Sequence, residues 1–136
     1  MKKLLAVMML ALLPLACDDD SSGPDDEDIA GTYTLRTVNG QNLPFALIVL
    51  GTAYRLEVTA ASVTINANGT YSASSTLRET EDGMTTTTTE TSAGTWTRTN
   101  NAITFRDTAD QSEINASLGN DSVTWVEQGF TFVFRK

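Results

Sequence analysis

The sequence predicts an all-β domain, an antiparallel up-and-down β-barrel of about eight strands behind an export signal and an acidic linker. From Ile29 onward apolar side chains alternate with polar ones, as in Phe130, Phe132 and Phe134 against Thr131, Val133 and Arg135. That is the period of a strand with one buried face. Turn dipeptides punctuate the alternation at Asn39-Gly40, Asn68-Gly69, Asp82-Gly83, Asn100-Asn101, Gly119-Asn120 and Gln128-Gly129, which is hairpin chemistry. An antiparallel sheet with this many strands removes its exposed edges most simply by closing on itself.

Before the domain, Met1-Lys2-Lys3 and the apolar run Leu4 to Leu15 have the layout of an export signal. A dozen helical residues reach only about 18 Å, well short of the roughly 30 Å hydrocarbon core, so the run is not a stable membrane span. It ends at Ala16-Cys17, and Asp18-Asp19-Asp20-Ser21-Ser22-Gly23-Pro24 follows at once. This stretch resembles a bacterial lipoprotein signal. The resemblance implies removal of residues 1–16, lipidation of Cys17, and an extracytoplasmic protein anchored to a membrane of the bacterial cell envelope. Asp18 resembles the inner-membrane retention signal of some such proteins, a rule that varies between bacterial groups and leaves inner or outer membrane open. The thiol chemistry agrees: the one Cys of the chain has no disulfide partner in an oxidising compartment, and several acyl chains give stable anchoring. Residues 17–28 then form the lipidated Cys and a flexible tether. No aliphatic or aromatic side chain lies between Asp18 and Asp28 to offset the entropy of ordering it. Its aspartates lack the spacing and turn glycine of a calcium loop, and no metal is expected there.

Charge and composition narrow the function. Nine Lys and Arg stand against 17 Asp and Glu, a net −8. Seven of the acids fall in the tether, and residues 29–136 hold seven basic against ten acidic residues, a net −3. The arginines are scattered singly, so no phosphate-binding surface is expected and nucleic acid is not a partner. The absence of His and the single Cys exclude His-based acid/base catalysis, Ser-His-Asp and Cys-His sites and the usual zinc ligand sets. Asp107, Asp110 and Glu113 lie close together in sequence, but nothing fixes the separation that two-carboxylate chemistry requires. No catalytic residue, cofactor or metal site is assigned.

Within the domain, runs between turns give candidate strands at 30–38, 44–50, 54–60, 62–67, 70–80, 84–99, 102–107, 112–117, 122–127 and 129–135. Asn68-Gly69 is the strongest candidate for a type I′ hairpin, which needs positive φ at both central residues. Leu43 to Leu50 is apolar throughout and fits a short helix or a loop over the barrel mouth as well as a strand. The Thr-rich stretch from Thr85 to Thr89 and Thr91, beside Glu79, Glu81, Asp82 and Glu90, reads as a long hairpin with both faces wet. Gly31-Thr32-Tyr33, Gly69-Thr70-Tyr71 and Gly94-Thr95-Trp96 repeat a strand opening at irregular spacing, which indicates recurring hairpins and not a solenoid.

The opening Ile29-Ala30-Gly31-Thr32-Tyr33-Thr34-Leu35, the hairpin Val63 to Tyr71, Ala93-Gly94-Thr95-Trp96-Thr97 and the closing Phe130 to Arg135 resemble small bacterial lipocalin-like lipoproteins. The resemblance covers residues 29–136 as one lipocalin-like barrel domain. It implies eight strands around an apolar interior able to hold a small hydrophobic molecule, with Tyr33 at the floor and Arg135 as its stacking partner. The interior side chains assigned to ligand contact are Tyr33, Leu35, Tyr71, Trp96, Phe105, Trp125, Phe130 and Phe132. An eight-stranded barrel is just wide enough to be filled by its own side chains or to hold one small ligand, and both readings fit these residues.

Two functions follow as expectations. The first is a monomeric, lipid-anchored envelope protein, not an enzyme, that binds or carries a small hydrophobic ligand. The second is a packed, ligand-free barrel that serves as an interaction or inhibitory module through its Thr-rich hairpin. The anchoring step has a direct test: Cys17→Ser should move the protein from the membrane fraction to the soluble one, and a variant that still sediments with membranes contradicts the lipoprotein reading.

Overall fold

The computed structural model describes residues 26–136. The signal at 1–16, Cys17 and the tether up to residue 25 lie outside the described residues. The described chain opens with one helical turn, α1 (Asp26–Ile29), followed by ten strands: β1 (Gly31–Val38), β2 (Gln41–Asn42), β3 (Phe45–Leu50), β4 (Tyr54–Ile65), β5 (Thr70–Glu81), β6 (Met84–Thr99), β7 (Ala102–Asp107), β8 (Glu113–Gly119), β9 (Ser122–Glu127) and β10 (Phe130–Arg135).

Eight of these close a barrel. From β4 to β10 each strand pairs antiparallel with its sequence neighbour, β10 pairs with β1, and β1 pairs with β4 to complete the ring. This closed antiparallel barrel is the architecture expected from the alternation of the sequence. The β1–β4 seam is short, running from Gly31↔Ile65 to Thr34↔Ser62. Beyond it the two strands part. The far half of β1 takes the two-residue β2 as its partner, and the first half of β4 takes β3. The apolar segment 43–50 is therefore a strand set into a fork in the barrel wall.

Turns and bulges refine the sequence reading. Asn39-Gly40, Asp82-Gly83 and Gln128-Gly129 have positive φ at both positions, the type I′ geometry that matches strand twist. At Asn68-Gly69 only the glycine is positive. Gly69 N–H donates to the Asn66 carbonyl at 3.2 Å, and Asn68 Oδ1 accepts from Thr70 N–H at 3.1 Å. This is a longer loop built on a type I turn with a glycine bulge, and not a two-residue I′ turn. The runs at 54–60 and 62–67 are one strand. A bulge between Val58 and Ala60 shifts the inward phase from Leu56 and Val58 to Ala61, Val63 and Ile65, and such an insertion bends the strand as closure demands.

Most of the core gathers at the end of the barrel where the chain enters, with Val38 fully buried toward the other end of β1. Val63, Ile65, Ile103, Val123 and Phe134 are each at most 2% exposed. The Tyr33 hydroxyl donates to the Ile29 carbonyl at 2.8 Å and Trp96 Nε1 donates to the Asn66 carbonyl at 3.0 Å, so both polar handles are satisfied where they are buried. Lys136 Nζ donates to the Asp28 carbonyl at 3.1 Å and lies 5.3 Å from the centre of the Tyr33 ring. The cation over Tyr33 is Lys136, in place of Arg135, because Arg135 sits opposite Thr34 on the outward face of β10.

Two features support the wall, one on its inner face and one on its outer. At Gly94 a Cβ would collide with the backbone carbonyl of Arg106, so β6 and β7 approach as closely as they do only because this position has no side chain. Glu57 is the one buried charged residue among those described. Its Oε2 accepts from Arg78 Nε at 2.9 Å and Nη2 at 2.6 Å, and its Oε1 lies 2.8 Å from Arg55 Nη2. The two guanidinium groups hold the carboxylate between them while the arginine side chains stay largely exposed. Hydrogen bonds first from Arg78 and then from Arg55 hold its pKa below the usual carboxylate value.

Two outcomes follow. Gly94→Ala should lower stability in urea by about 1–3 kcal/mol through backbone overpacking, and a change within about 0.5 kcal/mol would contradict the close approach. Glu57 has a depressed folded-state pKa, so its contribution is fully present above the ordinary value of 4.5 and fades as pH falls through the folded value. Denaturation curves of Glu57→Gln and the parent should therefore differ at neutral pH and converge in acid.

Candidate functional site

The barrel interior is not filled. A cavity of about 310 Å³ opens toward the end opposite the buried floor and reaches from Val63, Tyr71 and Phe134 up to Leu77, Glu90 and Glu127. Its origin lies in an unequal pair of walls. The wall contributed by β4, β5 and β6 presents small side chains inward: Ala61, Ala73, Ser75 and Ser92. The opposite wall, from β7, β9 and β10, presents Phe105, Trp125 and Phe132. The large rings lack the reach to touch the small residues facing them, and the gap stays open where a second bulky wall would have closed it.

The rings form a continuous surface. Tyr71 meets Phe105 edge to face with centroids 5.0 Å apart, Phe105 meets Trp125 at 6.3 Å, and Trp125 meets Phe132 at 6.2 Å and stacks on Phe134 at 4.3 Å. These contacts hold the rings in place without a ligand, so the apolar wall is preformed. Burial raises the pKa of Tyr71 above 10.0, a hydrogen bond with Ser92 opposes that, and the charges of Asp107 and Asp110 add to the rise. Tyr71 is thus a neutral phenol at physiological pH.

Five of the eight side chains assigned from sequence line this cavity: Leu35, Tyr71, Phe105, Trp125 and Phe132. The other three point inward but serve elsewhere. Tyr33 and Trp96 belong to the floor, where their polar atoms are committed to Ile29 and Asn66. Phe130 stands near the mouth and packs edge to face on Phe45 at 5.8 Å, which ties β3 to β10 across the fork.

Several lining residues escaped the sequence reading. Leu47 reaches in from the fork strand, Val58 and Leu77 extend the apolar wall, and Ser75, Ser92, Glu90 and Glu127 supply its polar part. Glu90 is exposed, as the wet hairpin predicts, yet it also lines the cavity. Counting back in twos from Trp96 through Gly94 and Ser92 puts it on the inward face, opposite Ser75. Glu127 continues the inward series of Val123 and Trp125. The tip half of the hairpin is exposed as expected from Thr85 to Thr89, with a cross-strand hydroxyl contact between Thr80 and Thr85 at 3.1 Å.

The acidic cluster after β7 is accounted for locally. Asp107 Oδ1 accepts from Ala109 N–H at 2.6 Å and Asp110 Oδ1 accepts from Ser112 N–H at 2.9 Å, so these carboxylates shape the β7–β8 loop. Among the described residues no group of three His, Cys, Asp or Glu is placed to hold a metal ion, and no helix is long and apolar enough to cross a membrane.

Compared with protein-family models, curated proteins and solved structures, the chain matches none.

Proposed function

We propose that this chain is a lipid-anchored protein of the bacterial cell envelope whose barrel binds or carries a small apolar molecule without catalysing its conversion. The observation that supports ligand binding is the preformed, aromatic-walled cavity of about 310 Å³, bordered by the exposed Glu90 and Glu127. That volume falls at the lower end of the range for small-molecule sites, which are mostly apolar clefts with a few polar groups. A cavity of this size inside a small domain forgoes packing energy, a cost that binding a molecule there would offset. Anchoring and location rest on the sequence of residues 1–28. The described chain enters the barrel at its floor, so an anchor at Cys17 would leave the opposite mouth unobstructed.

The test is a fluorescence titration with the neutral apolar dye N-phenylnaphthylamine. The parent protein should saturate at one dye per barrel. Ala73→Phe, which fills the cavity from the small-residue wall, should abolish binding while the domain still unfolds cooperatively. Trp125→Ala, which removes the central ring of the aromatic wall, should weaken binding at least about tenfold, the loss of one desolvated aromatic contact. Full dye affinity in both variants would contradict the interior assignment.

A further inference from the structure

We propose that the occupant of this cavity is a cationic amphiphile, an apolar body carrying an amine or quaternary ammonium head, and not a fatty acid or other anionic lipid. The inference rests on the reading of the cavity as a ligand site and assigns the chemistry of its ligand.

Three observations carry it. First, the charged side chains that line the cavity are Glu90 and Glu127, and no Lys or Arg lines it. Second, register extends this bias outward along the hairpin wall: Glu79 and Glu81 share the face of β5 that carries Tyr71, Ala73 and Leu77. The nearest arginines on those strands, Arg55 and Arg78, lie on the other face and are committed to Glu57. Third, the apolar wall is aromatic, with Phe105, Trp125 and Phe132 presenting ring surface beneath the carboxylates. Ring faces attract cations through their quadrupole, and the exposed carboxylates of Glu90 and Glu127 repel a second anion over a range that lengthens as ionic strength falls. An anionic lipid would have to bring its head group past Glu90 and Glu127 with no counter-charge on the lining. A cationic head meets carboxylates at the mouth while its apolar part occupies the space above Val63 and Phe134.

The experiment uses three probes of equal chain length below their micelle-forming concentrations: dodecyltrimethylammonium, laurate and neutral dodecanol. Each is scored at low ionic strength by its displacement of N-phenylnaphthylamine from the parent protein. The cation should bind at least about tenfold more tightly than laurate, with dodecanol between them. In the Glu90→Gln, Glu127→Gln double variant the ratio of cation to laurate should fall toward one, while dodecanol affinity changes by less than about twofold. Laurate binding as tightly as the cation, or a ratio unchanged in the double variant, overturns the inference while leaving the ligand-binding reading in place. Failure of all three probes, dodecanol included, overturns that reading and this inference with it.

Discussion

The structure depends on four residue pairs at the seam between β1 and β4, from Gly31↔Ile65 to Thr34↔Ser62. Without them the strands form an open sheet with two unpaired edges. With them the sheet becomes a ring with an inside, and every alternating side chain is assigned to one medium or the other. The seam is reinforced on its outer face by the Thr32 and Thr64 hydroxyls at 2.9 Å, with Ser62 and Ser74 at 3.2 Å one strand further on. It is placed at the floor end, where Tyr33, Ile65, Trp96 and Phe134 are buried together. Closure and core formation therefore support each other at one end of the barrel.

At the other end closure stops, and the consequences shape the candidate site. After Thr34 and before Ser62 the two strands diverge, and β3 occupies the fork, held to β4 by its ladder and to β10 by the contact between Phe45 and Phe130. The long β5–β6 hairpin continues past the last pair that joins β6 to β7, Gly94↔Asp107, and its inward face forms the rim that carries Glu90. The floor is thus hydrogen-bonded and filled, while the mouth is built from strands with fewer neighbours. The interior between them stays open because one wall is small and the other aromatic. That arrangement separates structural from ligand-facing aromatics: Tyr33 and Trp96 spend their polar atoms on the floor, and Phe105, Trp125 and Phe132 present ring surface to the space above it.

Much of this was legible from the alternation of the chain. Strand existence, barrel closure, the exposed Thr-rich hairpin and five cavity-lining side chains follow from period-two patterning and turn dipeptides. The parts that were not legible have physical reasons. A bulge changes the inward phase, so β4 reads as two strands between Val58 and Ala60. The fork strand is apolar on both faces because Leu47 turns in while Ile48, Val49 and Leu50 remain exposed, and periodicity cannot separate that from a helix. Sequence also marks inward bulk better than inward smallness. Ala61, Ala73, Ser75 and Ser92 create the cavity by what they lack, and only the register shows that they face the rings. The Asn68-Gly69 loop misleads in the same way, since a dipeptide does not state how many residues its turn contains.

An accessible, preformed cavity inside a closed barrel is the feature on which ligand binding turns, and crystallography under xenon pressure measures it most directly. Xenon enters apolar cavities without needing a particular shape or head group, so it reports the space and not the chemistry of the natural occupant. Ordered xenon density is expected between Ala73 and Trp125, with Phe105 and Phe132 in their unliganded positions. A barrel whose rings have collapsed onto the small-residue wall, with no xenon site inside, would contradict that expectation.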